Sequence, residues 1–239
     1  MSPPFPEPTA PPAASTVLAD LRSLLAERFQ HTLPTAQPAV PPPAFSTGLP
    51  AWDTQSGGVR TGEVTEICGG MGATHLVLDG LLERFSCAGW LGAWVDAGDS
   101  LEVADWAPRQ MERLVWVRCS RALHALKAAD LLLRDGNLNW VVLDLQGVAP
   151  AALRGICGTH WHRFHRLLAQ QGNTLLVLSR SPLVEGVRVR VLADERWSLD
   201  ALERPRTELR ETNALRVFVR GRMAPLEPAS HRSDHRKTA

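Results

Sequence analysis

Residues 62–78 read GEVTEICGGMGATHLVL, and this stretch decides the fold. The apolar-rich run at 63–68 has strand character. Gly69, Gly70 and Gly72 crowd the turn after it, and from Thr74 onward the apolar positions recur at helical spacing. A glycine-rich turn between a strand and a helix N-terminus is how phosphate-binding loops are built, with backbone N–H groups ringing the anion. The same glycines also permit a tight turn and close packing with no ligand at all.

Working outward, strand and helix patterns alternate. Strands are expected at 63–68, 91–96, 114–118, 139–144 and 174–179, with helices at 74–88, 100–112, 121–135 and 153–171. Short apolar strands separated by helices predict an α/β fold with a mostly parallel twisted sheet covered on both faces. After Pro182, the runs 187–192 and 215–221 alternate apolar residues with arginine, which predicts an antiparallel edge to that sheet. The core is thus expected over 45–227, followed by a flexible tail at 228–239. Twelve prolines fall within residues 1–50. They predict a disordered stretch at 1–14 and an extended linker at 31–44. Between these, Leu18, Leu21, Leu24, Leu25 and Phe29 mark an amphipathic helix at 15–30, which either packs back on the core or docks on a partner.

The chain has 239 residues, 44% hydrophobic and 21% charged, with a formal net charge of +1. That balance predicts a globular protein and gives no large one-signed field to draw in nucleic acid or membrane. Of the 26 basic residues only Lys127 and Lys237 are lysines. Any chemistry that needs a buried lysine therefore has one internal candidate. Cys68, Cys87, Cys119 and Cys157 are scattered without a CxxC pair, as reduced thiols are. No signal peptide or membrane span is apparent, so a cytoplasmic location is expected.

Several segments in order resemble the RecA family of recombinases: STGLPAWD at 46–53, GEVTEICG at 62–69, WVDAGD at 94–99, VVLD at 141–144, NTLLVLS at 173–179 and RVFVRGRMAP at 216–225. The resemblance implies a RecA-like core with a nucleotide site at Gly69, Gly70, Gly72, Ala73, Thr74, Asp96 and Asp144. The departures are specific. A working loop reads GxxxxGK[ST], whereas only two residues separate Gly69 from Gly72, and Ala73 stands where the family has lysine. Lys127 is far along the chain in a helix. The family's water-activating glutamate falls on Gly98. Losing the phosphate clamp and the water activator removes positioning and electrostatic stabilisation together, so a pseudo-ATPase is expected. Asp144 is expected to cap a turn. Weak ATP binding at Gly70, Gly72 and Thr74 stays open, and no other cofactor is implied.

The segments that would be the family's DNA-binding loops, after Asp144 and after Ser179, are short, so strand exchange is not expected. Arg220 and Arg222 lie where the family carries a pair of basic residues across a subunit interface; they equally suit a solvated edge strand. Cys157, His160, His162 and His165 superficially suit zinc, but at this spacing they do not share one face.

A RecA-like core with these losses resembles the bacterial ImuA group, accessory proteins of damage-induced mutagenesis related to the SulA-type division inhibitors. The resemblance implies a non-enzymatic role in error-prone translesion synthesis. It also implies contacts with a Y-family-like polymerase subunit, an error-prone replicative-type polymerase and RecA, made through Leu18, Leu21, Leu25, Phe29 and the Arg216–Arg222 edge. Two alternatives are a division inhibitor that binds the tubulin-like division protein and a weakly nucleotide-binding RecA paralogue that regulates recombination.

Overall fold

A computed structural model describes residues 43–220 except 102, 104, 105, 107 and 194–196. The amphipathic segment 15–30 with Leu18, Leu21, Leu25 and Phe29, the linker before residue 43, Arg222 and the tail lie outside the described residues.

The core opens with a small unit not anticipated from the sequence. Strand β1 (Ala44–Phe45) pairs antiparallel with β2 (Val59–Arg60), and helix α1 (Pro50–Ser56) lies between them. Pro50 sets the helical φ at the first position, and Gly57, at φ 76°, ends the helix in the left-handed region. Asp53 fastens the preceding turn. Its carboxylate accepts from the Thr47 N–H and hydroxyl at 2.8 Å each, from Ser46 Oγ at 2.7 Å and from the Gly48 N–H at 3.0 Å. Burial pushes the Asp53 pKa up, but these hydrogen bonds outweigh it and hold the group below its ordinary value. A lowered folded-state pKa contributes stability above the unfolded pKa, and that stability is lost as pH falls through the folded value. Asp53→Ala is therefore expected to cost about 2 kcal/mol at neutral pH. The gap to wild type should narrow below about pH 4 in urea titrations, and a pH-independent gap would refute the charge-assisted role.

The main sheet comprises β3 (Val64–Gly69), β4 (Gly92–Asp96), β5 (Leu114–Arg118), β6 (Trp140–Asp144), β7 (Thr174–Ser179), β8 (Val189–Ala193) and β9 (Leu215–Val219). Their order is β5-β4-β6-β7-β3-β8-β9. Every pairing is parallel except β8 with β9. The intervening helices are α2 (Met71–Cys87), α3 (Pro108–Met111), α4 (Ala122–Asp135), α5 (Pro150–Leu153), α6 (Gly158–Gln171) and α7 (Arg206–Thr212).

Alternate strand residues feed two buried layers. Ile67, Trp94, Val142 and Leu176 pack under α2 with Val77, Leu81 and Phe85. Val95, Val141, Leu143 and Val177 pack under α4 and α6 with Leu126, Leu133, Trp161 and Phe164. Burial on both faces explains why the central strands β4, β6 and β7 read as largely apolar runs rather than as alternation.

Two expectations change. The helix placed at 100–112 is helical only over Pro108–Met111 among the described residues, because the Asp96 carboxylate holds the start of that segment as a turn (below). The helix placed at 153–171 is two, α5 and α6, separated by Arg154–Cys157, with Gly155 in the break. The expected antiparallel edge is present as the β8–β9 pair. β8 runs parallel to β3, and only β9 is antiparallel, after an excursion through the 3-10 turn Leu199–Glu203 and α7. Among the described residues no helix is long and apolar enough to cross a membrane.

A closed candidate nucleotide site

In a parallel sheet the strand C-terminal ends share one edge, and the crevice there is the usual ligand position. β3 ends at Gly69, β4 at Asp96, β6 at Asp144 and β7 at Ser179, so the sheet brings the expected site residues together. What they do there is bond to one another.

Only Gly70 separates β3 from α2, serving as N-cap at φ −66°. Gly69 is required by packing: at φ +146°, a Cβ added to it would collide with the Ala193 carbonyl of β8. Gly70 and Gly72 face open space, the nearest atom to a Cβ at Gly72 being on Trp197 at 4.0 Å. Gly69→Ala is thus expected to cost about 2–3 kcal/mol. Gly72→Ala, inside α2, should be neutral or stabilising by up to about 1 kcal/mol. Thermal midpoints of the two variants check the contrast; equal losses would show that the turn is needed for something other than packing.

Ala73 is 2% exposed and packs in the layer beneath α2, and its carbonyl accepts from Asn213 Nδ2 at 3.0 Å. Thr74 is fully buried. Its hydroxyl donates to Gln146 Oε1 at 2.8 Å and also lies near the Gly70 and Met71 carbonyls. Gln146, likewise fully buried, is the hub. Its Nε2 donates to the Gly69 carbonyl at 3.0 Å, its N–H to Asp144 Oδ1 at 3.0 Å, and its own carbonyl accepts from Arg180 Nε at 2.7 Å. One side chain thereby ties the end of β3, the first turn of α2 and the end of β6.

Both strand-end carboxylates are fully buried and occupied. Asp96 accepts from the N–H groups of Gly98, Ser100 and Leu101 at 3.0–3.1 Å, capping the turn that follows β4. Asp144 turns Oδ2 toward Ser100 Oγ at 3.3 Å and His75 Nε2 at 3.4 Å. His75 itself rests edge-on against Trp94, with centroids 5.7 Å apart. The turn at Gly98 is pressed against the turn at Gly147: a Cβ on Gly98 would strike Gly147 Cα, and one on Gly147 would lie 2.6 Å from Gly98 Cα.

The RecA family implies ATP with a divalent cation at this place, and these residues do not fit them. There is no loop to wrap a phosphate, the Thr74 hydroxyl is spent on Gln146, and neither carboxylate is free to face a metal.

A second buried network lies beside the first. Glu66 is fully buried in β3. Its Oε1 accepts from Ser179 Oγ at 3.0 Å and from the Leu183 and Val184 N–H groups at 2.7 and 3.1 Å; its Oε2 meets Arg190 Nε at 2.6 Å. The connection between β7 and β8, where the family resemblance places a DNA-binding loop, is thus fastened to the sheet. Burial and the Glu66 charge push the neighbouring Cys68 thiol up to about 12, so it is inert at neutral pH.

Arg216, exposed on β9, and Arg220, exposed just past its end, flank Phe218, which is 44% exposed. Lys127 is exposed on α4, away from the strand ends. Of the Cys157/His group, His160 Nδ1 lies 3.1 Å from the Cys157 carbonyl and His165 Nε2 lies 3.0 Å from the Glu185 carbonyl. Among the described residues no three His, Cys, Asp or Glu side chains converge to hold a metal.

Sequence reasoning missed Gln146, His75, Ser100 and the Glu66–Arg190 pair. The pair had a signal: a lone acid in the middle of an apolar strand needs a buried partner. Gln146 had none, because a glutamine after a strand end reads as an ordinary loop residue.

The fold is RecA-like. The RadB recombinase superposes with a TM-score of 0.51 at 13% identity, covering 64% of this chain and 84% of that one. A KaiC-like protein from the hyperthermophilic archaeon Pyrococcus horikoshii OT3 gives 0.46 at 14% identity, over 65% and 82% of the two chains. No protein-family model matches the sequence. No curated protein matches it either.

Proposed function

We propose that this chain is a non-catalytic RecA-like accessory protein of damage-induced, error-prone translesion synthesis. It acts through contacts with a Y-family-like polymerase subunit, an error-prone replicative-type polymerase and RecA. One observation carries the reading: the polar groups at the strand ends are consumed by Gln146, Asp96 and Asp144 contacts while the sheet around them is intact. A fold kept after its ligand groups have turned inward serves as a shape, and the shape at hand is that of a recombinase protomer. The exposed Arg216–Phe218–Arg220 face of β9 and the amphipathic segment 15–30 are the contact surfaces.

The test is damage-induced mutation frequency in the native host. A strain whose only copy carries Arg216→Glu and Arg220→Glu, or lacks residues 1–44, should lose about tenfold or more of the wild-type frequency, as disrupted central contacts do. Undiminished mutagenesis in both strains would overturn the reading. Filamentous, undivided cells on overproduction of the wild-type chain would instead point to division inhibition.

A further inference from the structure

Helices α4 and α6 leave between them a groove of about 640 Å³ on the face of the sheet opposite α2. Its floor is apolar, formed by Leu126 and Phe164 at 2% and 1% exposure. On its α4 wall Leu131 stands 68% exposed, and Leu123, two turns earlier on the same stripe, is 50% exposed. Lys127 lies midway between them, so α4 presents Leu-Lys-Leu at four-residue intervals to solvent. The rim is basic. Arg163 clamps Asp130 through Nε at 2.6 Å and Nη2 at 3.0 Å, and Arg134 reaches the same carboxylate at 3.1 Å. Lys127 and Arg166 have no acidic partner among the described residues, so four cations surround one carboxylate.

We propose that the α4–α6 groove docks an acidic amphipathic helix of a partner protein. The partner's apolar residues would cover Leu131 and Leu123, and its carboxylates would pair with Lys127 and Arg166. Charge complementarity selects the occupant, because an isolated apolar stripe would take any amphipathic helix whereas this rim repels a basic one. Nucleic acid is the poorer fit, since exposed leucines and an apolar floor offer nothing to phosphate. The inference concerns the face opposite the nucleotide-site helix, and it stands whether or not the partner belongs to DNA-damage mutagenesis.

The experiment uses the full chain and three labelled probes followed by fluorescence anisotropy. These are an amphipathic peptide of about five helical turns with leucine on one face and glutamate on the other, its lysine-for-glutamate counterpart, and single-stranded oligothymidylate. Saturable binding of the glutamate peptide is expected, weakened about tenfold by Lys127→Glu and by Leu131→Asp, with no shift in thermal midpoint because both residues are exposed. Arg109→Glu, exposed on α3 and outside the groove, should change nothing. The proposal is overturned if the glutamate peptide does not bind, if the lysine peptide binds as well, or if neither groove substitution weakens binding. Oligothymidylate binding that Lys127→Glu abolishes would make the groove a nucleic-acid site and equally overturn it.

Discussion

Glu66→Ala is expected to lower stability by about 3–5 kcal/mol, the cost of breaking a buried ion pair by deleting one partner. The carboxylate receives four donors from three places in the chain: Ser179 on β7, the backbone of Leu183 and Val184, and Arg190 on β8. Deletion strands two backbone N–H groups and leaves the Arg190 guanidinium, 28% exposed, without its counter-ion. In a domain whose total stability is on the order of 5–15 kcal/mol, such a loss takes a large share. Glu66→Gln keeps one acceptor oxygen and the side-chain volume, so it should lose less. The double substitution Glu66→Leu with Arg190→Met should recover part of the loss by removing both charges together. Urea unfolding of the three variants tests this. A single Glu66→Ala loss below about 1 kcal/mol would mean that the pair contributes no more than a surface bridge.

Introducing the lysine and glutamate that the RecA family carries in place of Ala73 and Gly98 is expected to damage the protein without making it an ATPase. Ala73→Lys places an ammonium at a position 2% exposed, among Val77, Leu78 and Ala193. The charge must either stay buried at a cost of several kcal/mol or pull the first turn of α2 outward. Gly98→Glu meets the backbone of Gly147, where no side-chain rotation relieves the overlap. Together the two substitutions should cost about 3 kcal/mol or more, read as a fall in thermal midpoint, with phosphate release at the wild-type level. A stable double variant that hydrolyses ATP would show that the turns at Gly98 and Gly147 give way easily and that the site is only two substitutions from working.

These effects divide along the line between what is legible in the sequence and what is not. Five of the six parallel strands were legible because each is an apolar-rich run bounded by turn residues, and their C-terminal ends placed Asp96 and Asp144 together. The short turn after β3 was legible by counting from Gly69 to Gly72. The reason the shortened junction holds together was not, since Gln146 is separated from Thr74 by 72 positions and nothing local marks the contact. The antiparallel β8–β9 edge was legible because Arg188 and Arg190 alternate with valine as on a solvated strand, but the role of Arg190 was not. Arg190 instead turns to Glu66, and only tertiary contact distinguishes the two. The unit at 44–60 went unread because two-residue strands carry no periodicity.

The most direct measurement is isothermal titration calorimetry of the full-length protein with ATP and magnesium, paired with phosphate release on the same sample. A site whose hydroxyl, amide and carboxylates are already bonded to one another predicts no saturable heat at millimolar nucleotide and no release above a buffer blank. Saturable binding with hydrolysis that Asp144→Asn abolishes would contradict the closed site.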